Sequence, residues 1–102
     1  MRVIKPSRIR EYARTNPEIA RPLLTWLRIA EEAQWRSLQD VRLVYRSADG
    51  VIVKSGKPVT VFNIGGNKFR LIVAIHYDRG RVFVLRLLTH KEYDKNKWAE
   101  QL

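Results

Sequence analysis

Three strand-like segments joined by two short turns constrain the fold of this chain more than any other feature. The segments are Val59–Ile64, Phe69–Tyr77 and Arg81–Leu88, and each is rich in β-branched and aromatic residues. The connections Gly65-Gly66-Asn67-Lys68 and Asp78-Arg79-Gly80 have the lengths and turn residues of β-hairpins. The sequence therefore predicts an antiparallel meander whose central strand is Phe69–Tyr77.

Two helical segments are predicted before the meander. Ser7 is placed to cap a short helix over Arg8–Arg14. Asn16-Pro17 is placed to open a second helix that ends around Trp35–Leu38. Apolar residues of this second helix recur with the helical period and are expected to face the core, namely Ile19, Leu23, Trp26, Leu27, Ala30 and Ala33.

Two details of the helical half are open. Pro22 either kinks the second helix or indicates that its regular part starts nearer Arg21. Further along, the alternation of Val41, Leu43 and Tyr45 with other residues indicates a strand, but a third helical turn is also compatible with this segment.

These elements predict an α+β fold. A length of 102 residues suits a single domain, 1–102, with N-terminal helices packed on one face of a small antiparallel β-meander and a short C-terminal helical segment. There is no cysteine, which suits a reducing compartment, and the N-terminus lacks the apolar region of a secretory signal. The apolar run Leu71–Ile75 is far shorter than the roughly 20 residues that span a bilayer. We expect a cytoplasmic protein with no membrane partner.

Positive charge is concentrated on the predicted sheet. The chain has 20 Lys and Arg against 10 Asp and Glu, a formal net charge of +10. Between Val41 and Lys91, ten basic residues are accompanied only by Asp49 and Asp78. Such a surface favours a polyanion or an acidic protein as partner, whereas a basic surface that serves only solubility is the plainer alternative.

Hairpin pairing assigns the side chains of the meander to two faces, because successive residues of a strand point to opposite sides. Pairing Tyr77 with Arg81 gives an apolar face that is expected to pack on the helices, with Phe69, Leu71, Val73, Ile75, Phe83, Leu85 and Leu87. The opposite face carries Asn63, Arg70, Arg86 and His90, with Lys68 at the turn and Ile72, Ala74 and Val84 in between. Burying two arginines without partners is costly, so this face is interpreted as an anion-binding site.

The available residues narrow the chemistry of that site. Two histidines and no cysteine form no convincing metal-ligand set, and the signatures of Ser/His/Asp triads and Walker loops are absent. No metal or other cofactor is therefore predicted. General acid–base catalysis beside a stabilised phosphate remains, and this is what cleavage of RNA through its 2′-hydroxyl requires. His90 or Tyr93 could move protons, while Lys68, Arg70, Arg86 and Lys95 hold charge.

Two motifs resemble a known family. The run Val61-Phe-Asn-Ile-Gly-Gly-Asn-Lys-Phe-Arg-Leu-Ile, followed by Leu88-Thr-His-Lys-Glu-Tyr-Asp-Lys, closely resembles HigB-type toxins of bacterial type II toxin–antitoxin pairs. These toxins belong to the RelE-like superfamily of mRNA interferases. The strong part of the resemblance covers about the last forty residues, and the N-terminal helices agree in length and position.

The resemblance implies a compact α+β toxin that cleaves mRNA, commonly within the 70S ribosome, and that a HigA-type antitoxin with a helix-turn-helix domain neutralises. Arg70 matches the strand arginine that contacts phosphate in such enzymes, and Asn63 falls where some relatives have lysine. His90 falls near a position that is arginine or histidine in relatives. The candidate catalytic residues are accordingly His90, Arg70, Tyr93 and Lys95, and the candidate RNA-binding residues are Asn63, Asn67, Lys68, Arg86 and Lys91.

Two functions of other classes compete with RNA cleavage. A non-catalytic inhibitor of translation that binds RNA or the ribosome would use the same cations but would not need His90 or Tyr93. A structural partner would use the basic face to pair with an acidic protein.

Overall fold

Five strands form one mixed sheet in the computed structural model, which describes residues 1–102. In chain order they are β1 (Arg2–Ile4), β2 (Asp49–Ile52), β3 (Pro58–Ile64), β4 (Phe69–His76) and β5 (Arg81–Thr89). Their order across the sheet is β1-β5-β4-β3-β2, with β1 parallel to β5 and the other neighbours antiparallel. The predicted meander is confirmed as β3, β4 and β5. The edge strands were missed, because segments of three and four residues are too short for a recognisable alternation.

Five helices accompany the sheet and confirm the α+β prediction. They are α1 (Ser7–Thr15), α2 (Ala20–Glu32), α3 (Leu38–Val44), α4 (His90–Asp94) and α5 (Lys97–Gln101). Of the two alternatives for the segment after α2, the helical one is confirmed by α3. Pro22 lies in the first turn of α2, where proline is tolerated, because a short 3-10 turn over Pro17–Ile19 precedes the regular helix. None of these helices is long and apolar enough to cross a membrane.

The second helix ends earlier than predicted. Its last residue is Glu32, and extended backbone at Ala33 follows instead of the helix that was expected to reach Trp35–Leu38. This break lets Trp35 enter the core, where its ring stacks on Phe62 with centroids 6.3 Å apart. Burial of a large aromatic side chain therefore outweighs continuation of the helix.

The predicted cap at Ser7 is wrong, because Ser7 is the first residue of α1 and no side chain makes a capping hydrogen bond there. Asn16 and Pro17 occupy the predicted N-cap and first helical positions, but they open the short 3-10 turn and the side chain of Asn16 makes no capping hydrogen bond. The side-chain amide of Asn16 instead donates to the carbonyl oxygen of Tyr12 at the end of α1. Asn16 thus satisfies the C-terminus of one helix and not the N-terminus of the following one.

A β-bulge changes the register of the β4–β5 hairpin. Next to the turn, Arg81 pairs with His76 and not with Tyr77, while the end of the hairpin that carries Arg86 has the predicted register. Leu85 is the extra residue between the two registers. Because a shift by one residue moves side chains to the other face, the face assignment is wrong for the residues of β5 on the turn side of the bulge, while that of β4 holds.

The main core lies between the sheet and the helices α1, α2 and α3, and it contains 17 buried residues. Val82 and Val84 belong to this core, although Val84 was predicted on the opposite face. Phe83 and Leu85 were predicted in the core but are not part of it, because the bulge reverses their orientation. The remaining predicted positions pack as expected, namely Phe69, Leu71, Val73, Ile75 and Leu87.

The C-terminal segment covers part of the opposite face. Trp98 of α5 is 4% exposed and forms a second apolar cluster with Val53, Val59, Val61 and Ile72. The predicted anion-binding face is therefore divided. One end carries Arg70 and His90, and the other carries Phe83.

Candidate active site

Arg70 occupies the centre of the site because of the strand register. It lies on β4 opposite Asn63 of β3 and opposite Leu88 of β5, as predicted. Paired residues of antiparallel strands point to the same side, so Arg70 and Asn63 share one face. The side chain of Arg70 is half-buried, and its Nη1 donates to the carbonyl oxygen of Phe69 at 3.2 Å.

His90 is placed beside Arg70 by the start of α4. The hydroxyl of Thr89 accepts a hydrogen bond from the backbone N–H of Glu92, while the Glu92 carboxylate accepts one from the N–H of Thr89. This reciprocal capping begins the helix at His90. The hydrogen bond from Thr89 N–H also lowers the pKa of Glu92. The backbone N–H of His90 donates to the carbonyl oxygen of Lys68 at 2.9 Å, which fastens the new helix to the β3–β4 turn.

The imidazole of His90 lies between a cation and a carboxylate. Its Nδ1 is 3.4 Å from Nη2 of Arg70, and its Nε2 is 3.5 Å from Oδ2 of Asp94. A guanidinium can only donate, so the contact with Arg70 requires an unprotonated Nδ1, and the ring hydrogen then lies on Nε2, facing Asp94. The side chain of His90 is 52% exposed, which leaves it accessible to a substrate.

Tyr93 forms the middle layer of a three-part stack. The guanidinium carbon of Arg70 lies 5.6 Å from the centroid of its ring. On its other side, the ring of Tyr93 stacks on the ring of Trp98, with centroids 5.1 Å apart and an interplanar angle of 18°. Nε1 of Trp98 also donates to the carbonyl oxygen of Tyr93 at 3.0 Å. The buried indole therefore holds both the backbone and the ring of Tyr93.

The phenol of Tyr93 is kept in its protonated form. Burial raises the pKa of Tyr93, the negative charge of Asp49 raises it further, the guanidinium of Arg70 opposes this, and Asp94 raises it slightly. A neutral phenol can donate a proton or a hydrogen bond, but it is not available as a general base at neutral pH.

Arg86 lies next to the β-bulge, on the face that carries Arg70 and Leu88. Its Nη1 donates to the carbonyl oxygen of Leu85 at 2.9 Å. From the other side of the sheet, Arg8 of α1 donates to the carbonyl oxygens of Val84 at 2.7 Å and Leu85 at 3.2 Å. The irregular backbone of the bulge thus has hydrogen-bond partners from two arginines, which fixes the strand from which Arg86 projects.

A depression of about 240 Å³ joins Arg86 to the C-terminal helices. Arg86, Lys95 and Lys97 line it together with Glu92. Leu88, the strand partner of Arg70, lines it as well, which places the depression next to the cluster of Arg70, His90 and Tyr93. The cluster and the depression together form a cationic surface suited to a phosphodiester chain.

The remaining predicted residues lie around this surface. Asn67 and Lys68 are exposed in the β3–β4 turn, and Lys91 is exposed on α4. Lys95 lies in the depression with Arg86 and has no hydrogen bond to His90 or Arg70. The structure therefore brings His90 and Tyr93 into contact with Arg70, places Asn63 opposite Arg70, and leaves the other predicted RNA-binding residues around this cluster.

Three contributors to the site were missed by sequence reasoning. Asp94, four residues after His90, was recognisable in principle, because residues four apart share one side of a helix. Trp98 and Arg8 were not recognisable, since they act through a tertiary stack and through a bulge. No group of three or more His, Cys, Asp or Glu side chains lies together in a way that would bind a metal ion.

The arrangement combines the groups that RNA transesterification needs. A guanidinium can neutralise a phosphate, an imidazole nitrogen can accept a proton, and a neutral phenol can donate one. The imidazole of His90 and the phenol ring of Tyr93 both contact the guanidinium of Arg70.

The chain matches the family model of HigB toxins, described as the RelE-like toxic component of a toxin–antitoxin system, over residues 19–96. Those residues include every candidate site residue from Asn63 to Lys95.

Individual relatives agree with this match. The chain is 30% identical over 95 residues to the mRNA interferase HigB of Escherichia coli O6:H1 (strain CFT073), covering 93% of this chain and 90% of that protein. It is 23% identical over 94 residues to the mRNA interferase toxin HigB of Escherichia coli K12, covering 92% and 88%. The same values relate it to the mRNA interferase HigB of Shigella flexneri.

Proposed function

This chain belongs to the HigB family, the RelE-like toxic components of toxin–antitoxin systems, and from that premise we propose that its cluster of Arg70, His90 and Tyr93 cleaves mRNA. As a toxin of such a pair it has an antitoxin as partner. The relatives at 30% and 23% identity are named mRNA interferases, which supports the same activity here. The protein is accordingly an endoribonuclease.

One observation carries the proposal for the site. Nη2 of Arg70 lies 3.4 Å from Nδ1 of His90, while the guanidinium of Arg70 also lies over the ring of Tyr93. A cation that binds phosphate is thus in direct contact with both groups that can transfer protons. A protein that only bound RNA would need the cations of this surface but not this arrangement around Arg70.

Binding of the scissile phosphate starts the proposed mechanism. Arg70 exchanges its contact with His90 for a charge-assisted hydrogen bond to a phosphate oxygen, which is the stronger interaction. This exchange frees the lone pair on Nδ1 of His90. The freed nitrogen then accepts the proton of the 2′-hydroxyl, and the 2′-oxygen attacks phosphorus.

Bond breaking completes the reaction. The bond between phosphorus and the 5′-oxygen breaks, and the neutral phenol of Tyr93 donates its proton to that oxygen. Arg70 balances the negative charge of the crowded phosphate during this step. The products are a 2′,3′-cyclic phosphate and a 5′-hydroxyl, and no metal ion takes part.

The proposed substrate is mRNA on the translating 70S ribosome, in the cytoplasm. The cationic depression beside the cluster supports contacts to the phosphates of an extended strand. The proposed antitoxin is a HigA-type protein with a helix-turn-helix domain. It has acidic surface to complement the net charge of +10.

Purified protein tests this function directly. The protein is incubated with free mRNA, with and without EDTA, and separately with mRNA programmed into 70S ribosomes in the Mg²⁺ that they require, and the ends of the products are identified. We expect cleavage of free mRNA that persists in EDTA, cyclic-phosphate ends in both reactions, and faster cleavage on ribosomes. Ribosome binding without cleavage would instead support the non-catalytic inhibitor, and loss of free-mRNA cleavage in EDTA would exclude the proposed chemistry.

A further inference from the structure

A groove lies at the far end of the sheet face that carries the active site. Its volume is about 320 Å³. The side chains of Val59, Ala74, Phe83 and Leu85 form much of its apolar lining, and Ser55, Lys57 and His76 provide its polar groups. Neither Arg70 nor His90 lines the groove, and the proposed cleavage does not use it.

Phe83 is the most unusual residue of this groove. The other two phenylalanines pack in or against the main core, but Phe83 belongs to neither apolar cluster. Its ring faces the exposed His76, with centroids 5.0 Å apart and an interplanar angle of 56°. The ring of Phe83 is partly buried and lies outside both apolar clusters, and it contributes to the lining of the groove.

The groove is surrounded by positive charge. Lys57 and His76 line it, and no Asp or Glu side chain does. Arg81 pairs with His76 across the hairpin, and Arg2 pairs with Arg81, so both arginines share the face of His76. An aromatic and apolar floor with a cationic rim is the combination by which proteins bind single-stranded nucleic acid.

The groove is also continuous with the active-site surface. Leu85 lines the groove, and the next residue, Arg86, lines the depression beside the active site. Gln101, the last residue of α5, lines the depression, and the following Leu102 lines the groove. The β-bulge creates this continuity, because it directs the neighbouring side chains Leu85 and Arg86 towards the same face.

We propose that this groove binds one nucleobase of the RNA strand whose phosphate lies at Arg70. The base stacks on Phe83 and His76, and its flanking phosphates are neutralised by Lys57 and Arg81. The strand then runs from Arg70 past Arg86 and Lys95 along α5 to the groove. This inference rests on the proposed function, since it assigns a second contact to the same substrate.

The loss of affinity from removing the base and the loss from removing the Phe83 ring should not add, because both remove the same contact. We would measure binding of 2′-O-methyl oligoribonucleotides, which lack the attacking hydroxyl, each with one abasic position along the strand. For the wild-type protein, a single oligonucleotide of the series, with its abasic site at some distance from the cleaved phosphate, should bind about 5- to 150-fold more weakly, as expected for the loss of one stacked base. In Phe83→Ala, the intact oligonucleotide should bind with the same loss, and that abasic position should cause no further loss.

Controls separate the groove from the active site. Leu43→Ala, at a residue 82% exposed on α3, removes apolar surface outside the groove and should leave binding unchanged. Arg70→Ala should weaken binding of all oligonucleotides equally.

If Arg70→Ala weakens binding but Phe83→Ala does not, the groove is not an RNA subsite, although the proposed function stands. No binding of the oligonucleotides by the wild type would overturn this inference, whereas the cleavage assay on programmed ribosomes tests the proposed function independently. If Phe83→Ala weakens binding of the antitoxin but leaves RNA binding unchanged, the groove belongs to a protein partner and the inference is overturned.

Discussion

Arg70 and Tyr93 form a stacked pair, with the guanidinium carbon of Arg70 5.6 Å from the centroid of the Tyr93 ring. The pair helps to join the central strand of the sheet to the C-terminal helices, together with the buried Trp98 and the contact between Arg70 and His90. The proposed phosphate-binding residue and the proposed proton donor are thereby stacked on each other.

Substitution of Arg70 should abolish activity and leave the fold intact. Arg70→Ala removes the cation at the phosphate, and the loss of one such electrostatic contact slows catalysis about 100- to 1,000-fold. The side chain belongs to neither apolar cluster, so the melting temperature should stay close to that of the wild type. Rates of RNA cleavage and thermal melts test both statements. Arg28→Ala, on the exposed side of α2, is the matched control. A collapsed melting temperature for Arg70→Ala would show that Arg70 is structural.

Two substitutions of Tyr93 should separate its proton from its ring. Tyr93→Phe keeps the stack on Trp98 and Arg70 but removes the hydroxyl, so kcat should fall about 100-fold or more while KM stays unchanged. Tyr93→Leu removes the stack as well and should also raise KM, because Arg70 is no longer held. Kinetics on a defined RNA provide the comparison. Full activity of Tyr93→Phe would exclude the phenol as the proton donor.

High pH should destabilise the protein through its buried tyrosines. Burial raises the pKa of Tyr45, Tyr77 and Tyr93 above the ordinary value of a phenol. Their contribution to stability is complete below the unfolded-state pKa of about 10. Above it the unfolded chain loses protons first, so stability falls as pH rises towards the folded-state values. Urea unfolding between about pH 8 and 11 measures the free energy of unfolding as a function of pH. Tyr45→Phe should make this free energy fall less steeply with pH, and an unchanged dependence would contradict the raised pKa of Tyr45.

Core substitutions should follow the observed register and not the predicted one. Leu71 is fully buried in the main core, so Leu71→Ala should lower the free energy of unfolding by about 2–5 kcal/mol. Leu85 is only partly buried, against the second cluster, so Leu85→Ala should cost less. Denaturant unfolding of both variants compares them. A larger loss for Leu85→Ala would mean that the bulge is misplaced.

Leu85 shows where sequence reasoning succeeds and where it fails on this chain. Periodicity and turn residues predict the meander, and the register near Arg70 follows from the short β3–β4 turn. Alternation then assigns faces only while the pairing is regular. The carbonyl groups of the bulge accept hydrogen bonds from Arg8, which is far away in sequence, so no pattern within the β5 sequence predicts the bulge. Leu85 and Val84 consequently exchange their expected faces.

The candidate active site likewise combines features that local sequence predicts with features that depend on tertiary packing. His90 and Arg70 were predicted to lie together, and they do, because both depend on strand register and on a local helix start. The ring of Tyr93 is positioned by Trp98, five residues later, after a left-handed residue at Asn96 turns the chain back. That reversal depends on burying the indole over the sheet, which is a tertiary effect.

Induction of the wild type and of His90→Ala in a bacterial host tests the central claim most directly. Growth is followed, and the 5′ ends of transcripts are mapped before and after induction. The account predicts growth arrest with new 5′ ends inside reading frames for the wild type, and the loss of both in His90→Ala at equal expression. Arrest without new 5′ ends, or unchanged cleavage by His90→Ala, would contradict it.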